Sequence, residues 1–200
     1  MGLGRLGEYQ IIYADPPWHY NDRRNKGTRF CGGAMNYYPV LKTPQICGIP
    51  VQKWAAPNSV LLMWATWPNL PEALKVIEAW EFAFKTLGFL WVKTNRKNGE
   101  PFFGIGYYSK SNSEPCLLAT RGTPMKPITN GISQILEAPG SLLVSPREEH
   151  SKKPDLARQK IVELFGDVPR LEMFARDRSP GWDAWGNEID PLDALDVPLC

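Results

Sequence analysis

Apolar positions along the chain fall into short dense runs and one longer periodic stretch, divided by polar segments. Residues 9–14, YQIIYA, are a nearly unbroken apolar run of strand length, the pattern of a strand buried on both faces. SVLLMWAT (59–66), GFLWVKT (88–94), EPCLLATRG (114–122), SLLVSP (141–146) and RLEMFAR (170–176) repeat it, so six strands are expected. Between the second and third, Leu70, Ala73, Leu74, Ile77, Trp80, Phe84 and Leu87 recur at helical spacing, which predicts a helix over 69–87. PDLARQKIVELFG (154–166) predicts a second helix, with proline at its first position and glycine at its end. Segments 19–39 and 95–113 are polar and too long for plain connections, so they read as functional loops. Residues 123–140 read as irregular, GWDAWGNE (181–188) begins with a turn, and 191–200 reads as a loose tail.

Strands alternating with helices imply an α/β fold with a mostly parallel sheet flanked by helices, here as a single domain over residues 1–190. In such folds ligands bind beyond the carboxyl ends of the strands. The first run ends in the segment YADPPWHY, residues 13–20, which therefore lies where a site is expected.

Composition narrows this little. With 43% hydrophobic and 22% charged residues, the chain has an ordinary globular make-up, and a net charge of +2 neither demands nor excludes a polyanionic partner. The cysteines (Cys31, Cys47, Cys116, Cys200) form no CxxC pair, and with His19 and His150 they give no metal-site spacing, so no metal is expected. The opening MGLGRLGEYQ has no apolar signal core, and no run of 18 apolar residues occurs. A cytoplasmic protein without a membrane partner is expected.

DPPW has specific chemistry available to it. A residue before proline is pushed into extended backbone, which applies to Asp15 and Pro16, and neither Pro16 nor Pro17 has an N–H. A carboxylate and a carbonyl held side by side make a two-acceptor fork, suited to an exocyclic amine with two N–H groups. Trp18 offers a flat face for a planar base. For adenine N6, two acceptors draw the nitrogen toward tetrahedral geometry and free its lone pair, while Asp15 stabilises the developing positive charge. The base has to leave its stack to arrive there. The plainer reading, a turn with a packed tryptophan, stays open on the tetrapeptide alone.

YADPPW (13–18), LWVKTN (90–95), SEPCLLATRG (113–122), REEHSKKPD (147–155), RLEMFAR (170–176) and GWDAWGNE (181–188), in that order, resemble a known family. It is the family of S-adenosylmethionine-dependent N6-adenine methyltransferases that contains the catalytic subunit of the eukaryotic mRNA N6-adenosine methyltransferase, with bacterial and phage relatives. The resemblance covers roughly residues 9–190 and implies a Rossmann-like methyltransferase fold of permuted motif order, with S-adenosylmethionine as cofactor. It places Asp15, Pro16, Pro17 and Trp18 in the catalytic motif, with Asp15 also close to the sulfonium. It assigns Lys153 to the methionine carboxylate end, Arg176 to the ribose and amino-acid side, and Asn187 and Glu188 to the cofactor, Glu188 accepting from the ribose hydroxyls. Glu188 is glutamine and Arg178, also placed near the cofactor, is histidine in the eukaryotic subunit. Tyr38, Lys93 and Asn95 fall on the substrate side. His150 is a candidate general base, but the reaction needs no strong one, since the quaternised nitrogen loses its proton readily.

Arg23, Arg24, Lys26 and Arg29 follow DPPW, Arg96, Lys97 and Lys110 follow LWVK, and aromatic residues are interleaved with both sets. Cations for phosphates with aromatics for bases is a pattern of nucleic-acid binding. By analogy with the bacterial or phage branch, DNA is expected ahead of RNA, with a homodimer or partner subunit adding recognition surface. The same reaction on RNA, and a non-catalytic nucleic-acid-binding subunit of a methyltransferase complex, are the alternatives.

Overall fold

A computed structural model describes residues 7–19, 40–95, 98–101, 108–139 and 153–189; the expected strand at 141–146 lies outside them, as do Arg23, Arg24, Lys26, Tyr38 and His150. The elements are β1 (Tyr9–Ala14), α1 (Thr43–Cys47), β2 (Ala55–Trp64), α2 (Leu70–Ala79), β3 (Ala83–Thr94), β4 (Ser113–Arg121), β5 (Ile135–Pro139), α3 (Asp155–Phe165), β6 (Arg170–Met173) and β7 (Asp183–Trp185). The strands form one sheet in the order β5-β3-β4-β2-β1-β6-β7. β4 runs antiparallel to β2 and β3, and the other neighbours are parallel. The fold is α/β and Rossmann-like, with a mostly parallel sheet flanked by helices. One edge of that sheet gathers the carboxyl ends of the parallel strands and the amino end of β4.

Both faces are covered, which accounts for the unbroken apolar runs. Ile12 and Ala14 of β1 face a core shared with Ile46 of α1 and with Ala73, Val76 and Ile77 of α2. Ile11 and Tyr13 face the other way, onto Ala157, Ile161 and Phe165 of α3. Arg158 of α3 pairs with Glu172 of β6 and lies 5.7 Å from the Tyr13 ring, so a partly buried ion pair seats this helix on the sheet.

Several elements differ from the sequence expectation. α2 stops at Ala79, and Phe84 and Leu87 belong to β3 rather than to a continued helix. Glu81 turns the chain between them at φ 64°, in a left-handed conformation more usual for glycine. β5 forms within the stretch read as irregular, and β7 forms inside the tail read as a turn. α1 adds a short helix that the apolar pattern did not show.

Candidate active site at the strand ends

β1 ends at Ala14, so Asp15 is the first residue beyond an interior strand of the sheet. The Trp18 N–H donates to the Pro16 carbonyl at 2.8 Å, and the Leu41 N–H donates to the Pro17 carbonyl at 2.9 Å. The proline carbonyls are thus already in use, but each carbonyl oxygen has two lone pairs and keeps acceptor capacity. The tight turn sends the Trp18 indole back into the core, where Nε1 donates to the Trp64 carbonyl at 3.1 Å and only 6% of the residue is exposed. This corrects the expectation of a stacking face: Trp18 anchors the motif from beneath. The ring is apolar and its single N–H finds a partner inside, so burial is its stable state.

Around Asp15 four charges alternate. Lys153, the residue before the Pro154 that caps α3, places its ammonium 2.8 Å from Asp15 Oδ2 and 3.4 Å from Glu114 Oε2. Lys93 reaches the other oxygen of Glu114 at 2.6 Å. The two lysines stand over two tryptophans, Lys153 5.7 Å from the Trp64 ring and Lys93 4.9 Å from that of Trp91. Those rings meet edge to face at 6.4 Å, and Trp64 Nε1 donates to the Tyr13 hydroxyl at 2.7 Å. The floor of the site is therefore aromatic and rigid, and the charges above it sum to zero.

The field in this network is uneven. Burial raises the Asp15 carboxyl above the ordinary aspartate range, and the Lys153 ammonium offsets that only in part; Glu114 adds to the rise and Arg176 opposes it. Burial also presses the Glu114 carboxyl upward, but Lys153 and Lys93 together reverse this and hold it below the ordinary glutamate range. Glu114 is thus secured as an anion, while Asp15 is the more basic acceptor.

A second cluster lies beyond β6 and β7. Phe174 leaves β6 at φ 60°, a strained value for a side-chain-bearing residue. The Ala175 N–H donates to the Trp185 carbonyl at 3.0 Å. Gly186 packs so closely that a Cβ there would stand 2.1 Å from the Ala175 carbonyl oxygen, so only glycine fits. This brace brings Arg176 to Glu188, 3.8 Å apart with Glu188 60% exposed. Glu172 pairs with Arg158, and Asp183 accepts from the Tyr9 hydroxyl. Asn187 and Arg178 are exposed on the same segments. The cluster joins the first through the sheet, since the Asp15 N–H meets the Met173 carbonyl at 3.5 Å.

Of the expected site residues within the described segments, all lie at or beyond this one edge. Lys153 is turned to Asp15 and Glu114, and Lys93 to Glu114. Asn95 starts the following loop, its N–H on the Glu100 carbonyl at 2.8 Å. Glu114 was not singled out from the sequence, although it opens EPCLLATRG; an acid at a strand start carries no signal of its own. Among the described residues no cluster has the make-up of a metal site, and no helix is long and apolar enough to cross a membrane.

The family model described as MT-A70 matches residues 9–188. The type II methyltransferase M.MunI of Mycoplasma sp is 31% identical over 96% of this chain and 82% of its own length. The human N(6)-adenine-specific methyltransferase METTL4 is 33% identical over 94% of this chain but 39% of its own. The human N(6)-adenosine-methyltransferase catalytic subunit METTL3 is 25% identical over 96% of this chain and 30% of its own.

Proposed function

The chain belongs to the MT-A70 family, and from that premise we propose that it transfers a methyl group from S-adenosylmethionine to the N6 amine of adenine in DNA. The observation that carries the reading is the carboxylate of Asp15, held at the end of β1 by two prolines and kept among balanced charges. In this reading Asp15 accepts one N6–H and the remaining lone pair of the Pro16 carbonyl accepts the other. The two acceptors localise the nitrogen lone pair, and Asp15 stabilises the positive charge that grows there. Lys153 opposes the upward pull of burial on Asp15 and so helps keep that acceptor ionised. The proton released by the nitrogen passes to water.

The donor set beyond β6 and β7 suits the cofactor. Arg176 provides a guanidinium for a carboxylate, Glu188 a carboxylate for vicinal hydroxyls, and Asn187 an amide. Gly186 lets this segment pack directly on the Ala175 backbone, which fixes where Asn187 and Glu188 begin. When bound, S-adenosylmethionine would supply an electrophilic methyl carbon with a thioether as its leaving group. Arg178 stands near this set, and Lys93 and Asn95 line the substrate side in the same reading.

DNA is favoured over RNA because the type II methyltransferase M.MunI is 31% identical over 82% of its own length, whereas METTL3, named for adenosine, is 25% identical over 30% of its own. The deciding experiment transfers labelled methyl to matched DNA and RNA oligonucleotides, single- and double-stranded, and identifies the product by nucleoside mass spectrometry. N6-methyldeoxyadenosine is expected. N6-methyladenosine alone moves the substrate to RNA, and no transfer to any oligonucleotide despite bound cofactor overturns the enzymatic reading.

A further inference from the structure

Trp18 is buried and offers the base no stacking surface. Another tryptophan stands at the same edge. Trp67 opens the 3-10 turn Trp67–Asn69, three residues beyond the end of β2, with Pro68 stiffening that turn. It is 49% exposed, and every other tryptophan of the chain is buried. Its orientation is nonetheless set. Nε1 donates to Ser113 Oγ at 3.1 Å, and the turn is tied back by the Asn69 N–H on the Thr66 carbonyl at 2.9 Å and by Asn69 Nδ2 on Thr66 Oγ1 at 3.2 Å.

Ser113 is the neighbour of Glu114, whose carboxylate shares Lys153 with Asp15. The indole is therefore tied to the rim of the charged network. In the sheet order, β2 and β4 lie on one side of β1, and β6 and β7, which carry Arg176 and Glu188, lie on the other. With the amine held at Asp15 and the cofactor on the β6 side, the β2 side is left for the substrate strand.

We propose that Trp67 is a base-stacking platform of the substrate strand, held by its hydrogen bond to Ser113. This rests on the nucleic-acid reading above. An indole pinned by its N–H edge presents a pre-ordered aromatic face, and a base stacks on such a face whatever its identity. Trp67 thus supplies strand affinity, and Asp15 and Pro16 select the amine.

The test measures oligonucleotide binding by fluorescence anisotropy and S-adenosylmethionine binding by calorimetry for wild type, Trp67→Ala and Trp67→Phe. The alanine variant is expected to bind a single-stranded oligonucleotide about tenfold more weakly, and the phenylalanine variant to recover most of that loss. Cofactor affinity is expected to be unchanged in both. On oligonucleotides made abasic at one position at a time, the alanine penalty should vanish at the position that stacks. Unchanged oligonucleotide affinity in Trp67→Ala overturns the proposal, as does equal loss of oligonucleotide and cofactor binding in both variants. A change of oligomeric state with oligonucleotide affinity intact also overturns it, because the indole then meets protein. Since binding is read apart from methyl transfer, failure of the enzymatic reading shows in the wild type alone.

Discussion

The two halves of the site are organised by different means. Beside β1, β2 and β4, the groups are charges held in fixed pairs, with the side chain of Lys153 only 6% exposed between two carboxylates. Beyond β6 and β7, Arg178, Asn187 and Glu188 are exposed and the 3.8 Å contact of Arg176 with Glu188 is long. There the order resides in the backbone, in the left-handed Phe174 and in Gly186 lying on Ala175. The first half is assembled before any ligand arrives, because an unpaired buried charge would be costly. The second holds its donors and acceptors on a rigid frame, with Glu188 60% exposed at the surface.

This contrast can be broken at its centre. Replacing Asp15 with asparagine keeps the shape and one acceptor but removes the charge. It is expected to lower kcat by about 10²- to 10³-fold, the scale of losing one electrostatic stabiliser of a transition state. Lys153 retains Glu114, so the denaturation midpoint should move little. A large loss of stability with a small loss of rate would reverse the assignment of Asp15.

Lys153→Met tests the charge balance itself. It leaves two carboxylates facing each other, at a cost of about 2 kcal/mol in chemical denaturation, reduced from the figure for fully buried pairs because Asp15 is 31% exposed. The sign of the pH effect follows from the shifts. Without the ammonium the Asp15 carboxyl rises further, so the acidic limb of kcat/KM moves to higher pH. Glu114, now held low, contributes stability above the ordinary glutamate range that is lost as pH falls through its lowered value. In the variant that contribution shrinks. An unmoved acidic limb would show that Asp15 does not set it.

The smallest effect is expected in the open half. Glu188→Gln exchanges a charged acceptor for a neutral one, and should weaken S-adenosylmethionine binding about fivefold by calorimetry, the scale of about 1 kcal/mol between such hydrogen bonds. Stability should not change, since the carboxylate is exposed. Equal cofactor affinity in the variant would remove Glu188 from the pocket.

Much of this was legible before the structure, and the exceptions have physical causes. The strand at 9–14 and the helix at 154–166 were read nearly to the residue, because apolar run length and terminal punctuation agreed there. The helix over 69–87 overran because Phe84 and Leu87 keep the helical spacing from Trp80, and the break is a glutamate at φ 64°, a residue that does not announce a turn. β5 and β7, of five and three residues, are too short to carry a period. In the site, Asp15 and its prolines declare themselves through backbone chemistry. The burial of Trp18 does not, because it depends on a carbonyl 46 residues away. Glu114 acquires its meaning only from lysines that the sheet brings to it.

The reversed direction of β4 has one more consequence. β3 leaves the sheet at Thr94 and β4 re-enters it at Ser113, both on the edge that holds the site. The two stems are joined by the Lys93 N–H on the Asn112 carbonyl at 2.8 Å. A connection that departs and returns on one edge can be lengthened without rerouting any strand. Closing a flexible loop of twice the length costs only about 0.6 kcal/mol more. The interval from 95 to 112 is thus a port: a recognition segment grafted there would meet the substrate at the mouth of the site, and the sheet beneath would keep its order.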